Sequence, residues 1–180
     1  MSLFATRIDT PIGALVALVD EDGALARLLF PHQPVPDGVA WDDARGAPAA
    51  AQLAEYFRGE RRSFDLPLAP RGTDFQRAVW DELRRIPYGA TVSYRALAER
   101  VGRPRASRAV GRANATNPLP IVVPCHRVIG ADGTPTGYAG GISAKTTLLA
   151  LERSGRGDGE SHARGEKALC FGGPRLVRPE

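Results

Sequence analysis

Asn117-Pro118-Leu119-Pro120-Ile121-Val122-Val123-Pro124-Cys125-His126-Arg127-Val128-Ile129-Gly130 joins a short apolar run to a potential nucleophile. Ile121 to Val123 reads as a brief strand or extended run held between Pro120 and Pro124, and Asn117 before Pro118 is a turn residue. Pro124 restricts the chain just ahead of Cys125, which suits rigid placement. A nucleophilic cysteine must act as a thiolate, although a free thiol titrates near ~8.5. His126 and Arg127 are both able to create or stabilise that charge. For an isolated Cys-His pair, however, an inert thiol packed as a small hydrophobe is the better reading. Adjacent strand residues also point to opposite faces, so His126 can help Cys125 only if the backbone turns here or a water bridges them.

Upstream of this stretch the sequence is helical. Thr73 with Gln76 three residues on forms a capping box, and Phe75, Val79, Leu83 and Ile86 repeat at helical spacing until Pro87-Tyr88-Gly89. Ser93 caps a second helix carrying Tyr94, Leu97, Ala98 and Val101, which stops at Gly102. A third, after Pro104, carries Ala106, Ala109, Val110 and Ala113. Two short helices joined by a tight glycine-containing turn resemble a helix-turn-helix. Downstream, Gly130 to Gly141 reads as a glycine-rich loop, and Ser143 as the cap of a last helix running through Glu152 to Gly155.

The N-terminal part reads differently. Phe4 to Phe30 suggests a three-stranded meander with turns at Thr10-Pro11-Ile12-Gly13 and Asp20-Glu21-Asp22-Gly23. A polar loop from Pro31 to Gly46 leads to a short helix, about Pro48 to Arg58, with Leu53, Tyr56 and Phe57 on one side. Glu60 to Gly72 reads as a linker. The expected division is therefore 1–72 as a β-rich unit with linker, 73–155 as a mainly helical unit, and 156–180 as a flexible tail, in an α+β fold.

Charge is concentrated. Between Arg84 and Arg112 lie eight arginines and one acid, Glu99, so this segment is +7 within a chain of net +4. Such a block suggests a polyanion contact, though on charge alone a solvated helical face fits equally well. No stretch approaches the ~20 apolar residues needed to span a bilayer, and the start lacks a secretory pattern. With only Cys125 and Cys170, a disulfide framework is not expected, and a cytoplasmic protein with free thiols is. His32, His126 and His162 are scattered, so neither a metal nor another cofactor is expected.

The surroundings of Cys125 change its reading. Residues 117–130 closely resemble the active-site signature of the O6-alkylguanine-DNA alkyltransferases, also called methylated-DNA–protein-cysteine methyltransferases. The resemblance continues through Thr136-Gly137-Tyr138-Ala139-Gly140-Gly141, Lys145 and Leu148 to Glu152. Upstream it takes in Phe75 to Trp80, Pro87-Tyr88-Gly89, Ser93-Tyr94 and Ser107 to Gly111. It implies a small ribonuclease-H-like N-terminal domain, then a winged-helix-like domain carrying the helix-turn-helix.

The resemblance also implies roles. Cys125 takes the place of the alkyl acceptor, and His126 that of the residue drawing off the thiol proton through a water. Glu152 orients the histidine, and Asn117 holds the active-site turn. Tyr94 helps flip the nucleotide and protonates the leaving guanine. Arg108 is the finger that fills the vacated stack. Arg127, Val128, Tyr138 and Ala139 are expected among the DNA- and guanine-binding residues; Ala139 stands where some members have serine. The implied partner is double-stranded DNA carrying O6-alkylguanine, with O4-alkylthymine left open as a second substrate, approached through the minor groove by a protein monomeric without DNA. Attack at an sp3 carbon leaves a thioether, so the protein is spent after one transfer. Two alternatives remain: a binding-only relative that flags lesions, against which Cys125 itself argues, and a cysteine hydrolase using Cys125, His126 and Glu152.

Overall fold

The computed structural model describes residues 2–155; the expected tail, with Cys170, lies outside them. Alternating apolar residues form β1 (Phe4–Thr10), β2 (Gly13–Val19) and β3 (Leu25–Leu29), an antiparallel meander as the turn sequences suggested. A two-residue β4 (Ala40–Trp41) then pairs parallel with β1, giving the order β3-β2-β1-β4. This strand was not legible in the polar loop.

Helix α1 (Asp43–Phe57) begins five residues earlier than the proline suggested. The Asp42 side chain accepts from the Arg45 N–H at 3.0 Å, capping the helix, and Pro48 lies inside it. The helix lies close on the sheet because Gly46 has no side chain: a Cβ there would come within 2.0 Å of Thr6 Oγ1. Its buried face carries Ala49, Leu53 and Tyr56.

Residues 60–72 do not hang free. Leu25 N–H donates to the Pro67 carbonyl at 2.8 Å, and Ala69 N–H to the Leu25 carbonyl at 2.9 Å, so the segment lines the edge of β3. Helix α2 (Asp74–Arg84) follows with the expected Thr73–Gln76 capping box. Then come the short β5 (Val92–Ser93), α3 (Tyr94–Arg100) capped by Ser93, and α4 (Ser107–Ala115). The Trp80 indole N–H donates to the Ala113 carbonyl at 2.9 Å and ties α2 to α4. On α4, Val110 and Ala113 face the core, while Arg108, Ala109, Arg112 and Ala115 are exposed.

The run at Ile121 is a tight turn and not a strand. Ile121 has φ +74°, Val122 N–H donates to the Pro120 carbonyl, and Val123 N–H to the Leu119 carbonyl. A 3-10 turn at Cys125–Arg127 leads into β6 (Val128–Ile129), parallel to β5. The last helix, α5 (Gly141–Ser154), starts two residues before Ser143, which therefore is not its cap. Gly140, the residue before the helix, is pressed against Phe30, where a Cβ would meet the ring at 2.4 Å.

The main buried core is shared between the two halves, and a smaller cluster of Ala5, Leu18 and Leu29 packs on its own. Leu15, Leu28, Leu53, Tyr56, Val79, Leu83, Leu97, Val110, Leu119 and Leu148 belong to one cluster spanning both halves of the chain. Among the described residues, no helix is long and apolar enough to cross a membrane.

Candidate active site

The site is built where the Cys125–Arg127 turn meets α5. Because the backbone closes a 3-10 turn there, Arg127 N–H bonding the Pro124 carbonyl and Val128 N–H the Cys125 carbonyl, consecutive side chains need not point to opposite faces. Asn117 holds the approach to this turn from within. Its Nδ2 donates to the Val123 carbonyl at 2.8 Å, and its Oδ1 accepts from Leu119 N–H at 3.0 Å. These bonds brace the segment in which Ile121 adopts a left-handed conformation, uncommon for a β-branched residue.

Cys125 is buried, and burial pushes its thiol up to about 11, against the opposing effects of the Asn117 amide and the Lys145 charge. The resting group is therefore a thiol. His126 is wholly buried, with Nε2 2.8 Å from Glu152 Oε1. A carboxylate only accepts, so Nε2 carries the hydrogen and Nδ1 presents its lone pair. No described group pairs with that buried Nδ1. Burial also lowers the His126 pKa, partly opposed by Glu152, so the ring is a neutral base at neutral pH.

Glu152 accepts five hydrogen bonds. Its Oε1 receives Tyr56 Oη at 2.7 Å, His126 Nε2 at 2.8 Å and Arg127 Nη2 at 2.9 Å. Its Oε2 receives Arg127 Nε and the Gly89 N–H, both at 2.9 Å. Burial alone would raise this carboxyl, but the hydrogen bonds from His126 and Arg127, with the Arg127 charge, hold it well below the usual carboxylate range.

Arg127, expected among the DNA- and guanine-binding residues, is buried and turned toward Glu152. Its guanidinium grips both Glu152 oxygens and gives Nη1 to the Ile86 carbonyl at 2.6 Å. The cation whose charge acts on Cys125 is instead Lys145, on the buried stripe of α5. Its Nζ donates to the carbonyls of Val128 at 2.6 Å and Thr136 at 2.7 Å, fixing the glycine-rich loop to β6.

The remaining expected residues surround this centre at different depths. Tyr94, half-buried at the start of α3, donates to the Thr136 carbonyl at 3.3 Å; burial raises its hydroxyl, which stays protonated. Tyr138 packs edge-on to Phe30 and His126, with ring centroids 5.5 and 6.4 Å away, and its buried hydroxyl has no partner among the described residues. Ala139 is exposed beside a groove lined by Phe30, Asn117 and Pro120. Arg108 is exposed on α4.

Two contributors were not singled out from the sequence. Tyr56 was read as part of an apolar helix face, and nothing local marks a hydroxyl whose partner is 96 residues away. Asn114 donates from Nδ2 to the Cys125 carbonyl at 3.4 Å; it could have been noticed as an amide in the apolar stripe of α4.

A family model described as the DNA-binding domain of 6-O-methylguanine DNA methyltransferase matches residues 74–154. A methylated-DNA–protein-cysteine methyltransferase from Mycolicibacterium paratuberculosis is 52% identical over 149 residues, covering 81% of this chain and 90% of its own. The chain belongs to the methylated-DNA–protein-cysteine methyltransferase family. The solved O6-methylguanine methyltransferase of Mycobacterium tuberculosis superposes with a TM-score of 0.79 at 46% identity, covering 84% of this chain and 93% of that one. A structure of the relative called OGT from the same organism, in complex with DNA, gives 0.81 at 47%, covering 84% and 94%. The similarity extends beyond residues 74–154, because these alignments cover 81–84% of the chain.

Proposed function

We propose that this chain repairs alkylated DNA directly, moving the methyl or other alkyl group of O6-alkylguanine onto Cys125 in one irreversible step. The observation that carries this reading is a buried cysteine next to a histidine whose one nitrogen is fixed by Glu152 and whose other is left as a free base. His126 Nδ1 takes the thiol proton through a water. Cys125 Sγ then forms a bond to the alkyl carbon as the C–O6 bond breaks, and Tyr94 supplies a proton to the departing guanine. The thioether is not hydrolysed, so each molecule acts once.

A base stacked in duplex DNA is out of reach of a buried thiol, so the nucleotide must be extruded, at a cost of a few kcal/mol. Arg108 enters the vacated stack and offsets that cost. The exposed face of α4, which carries the small Ala109 and Ala115 alongside Arg108 and Arg112, supports close approach to a minor groove. Val128, Tyr138 and Ala139 line the extruded guanine. The sheet order with a parallel β4 supports a ribonuclease-H-like N-terminal domain, and α3–α4 beside β5–β6 supports a winged-helix-like second one, divided near residue 72.

The test is intact mass after incubation with an oligonucleotide carrying one O6-methylguanine. The expected result is one added methylene per protein, localised to Cys125 and absent from Cys125→Ser. Binding without mass gain would instead indicate a lesion-flagging protein, and repeated turnover of an activated ester a hydrolase.

A further inference from the structure

Four of the five donors to Glu152 belong to the catalytic half of the chain or its entry turn; the fifth, Tyr56, comes from α1. It binds the same oxygen, Oε1, that receives the His126 N–H. Donors on one carboxylate oxygen compete for its negative charge: each weakens the pull felt by the others. The Tyr56 side chain is also held in place, its ring packed against Phe57, Phe64 and Tyr88 with centroids 5.4, 5.5 and 6.1 Å away.

Taking the relay of Cys125, His126 and Glu152 proposed above as its basis, we propose that Tyr56 is a positioning residue for alkyl transfer. Its hydroxyl shares Glu152 Oε1 with His126, so the N-terminal unit limits how strongly the carboxylate favours a protonated imidazole. The other groups facing this centre are Arg127 on the 3-10 turn, Tyr88 on the turn before β5, Lys145 on α5, Tyr138 on the glycine-rich loop and Cys125 itself. None of these bonds Oε1 except Arg127, which also holds Oε2 and so serves mainly to fix the carboxylate plane. Burial keeps the Tyr56 phenol protonated across the working range, so it is a constant donor. Without it, Oε1 pulls harder on the Nε2 hydrogen, the imidazolium is stabilised, and less of the ring is available as base.

The test is Tyr56→Phe, which keeps the packed ring and removes only the hydroxyl. Two quantities are read: the titration of His126 by ring 15N shifts, and the pH profile of single-turnover methyl transfer. The expected result is an upward move of the His126 titration by about one pH unit, with up to about a tenfold loss of rate on the acid limb. Recovery on the alkaline side and unchanged affinity for lesion-bearing DNA are also expected. A purely structural tyrosine would lower Tm and leave the titration and the profile where they are, and that result overturns the proposal. In a Glu152→Gln background the Tyr56→Phe change should add no further shift; an undiminished shift there overturns it as well. If Glu152→Gln by itself left both readouts untouched, the failure would lie in the relay.

Discussion

Cys125 is held as a thiol by burial, so in the proposed mechanism its reactivity is released by His126 and not stored as thiolate. In a Cys170→Ser background, a small neutral alkylating reagent should therefore modify Cys125 slowly at neutral pH. The rate should keep rising past pH 9, toward the thiol's value of about 11, where an ordinary thiol would already have levelled off. Stopped-flow mass analysis across pH 7–10 checks this, and a plateau below pH 8 would contradict it. Arg127 gives the complementary case of a charge that is structural. Arg127→Ala removes three buried hydrogen bonds and leaves Glu152 short of counter-charge, a loss of about 3–5 kcal/mol by urea denaturation. The sequence placed Arg127 beside the thiol because the two are near-neighbours in the chain. Which way a guanidinium turns is decided by the nearest buried carboxylate, and that carboxylate is 25 residues on.

At the scale of elements, the helices were legible and the active-site turn was not. Thr73 with Gln76 and Ser93 announce α2 and α3 because N-caps are local chemistry between residues two or three apart. Ile121-Val122-Val123 looks extended because its residues favour strands; the turn exists because Asn117 supplies, from outside the run, bonds to the Leu119 N–H and the Val123 carbonyl. Asn117→Ala should then destabilise the protein by on the order of 2–4 kcal/mol, since two buried backbone groups lose their partners. It should also slow methyl transfer without weakening DNA binding, measured by Tm, single-turnover rate and a gel-shift titration. The exposed face of α4 is a separable device. Arg108→Ala should slow repair in duplex DNA far more than reaction with the free alkylated base, because only the duplex requires extrusion. Equal losses on both substrates would remove Arg108 from that role.

For the molecule as a whole, the sheet and the catalytic half are joined through Tyr56, Glu152 and the edge contacts of β3, and the same junction sets the response to acid. The two-unit pattern in the sequence hides this, since nothing within either half reveals a core shared between them. His126 has its pKa lowered by burial, so the unfolded chain binds the extra proton more readily, and stability begins to fall as pH drops through the ordinary histidine value of 6.5. Glu152 is also depressed, here by its hydrogen-bond donors and despite burial, so its contribution is complete above the ordinary value of 4.5 and is lost progressively below it. Both groups therefore act in the same direction, and Tm should decline in two stages, first below about pH 6.5 and more steeply below about pH 4.5. Glu152→Gln should be less stable at pH 7, where the carboxylate is missed most, yet lose less on acidification than the parent. Calorimetric scans of both proteins from pH 7.5 to 3.5 decide the matter: parallel Tm curves would mean that the acid response arises elsewhere, and a converging pair would assign it to the carboxylate that anchors the histidine.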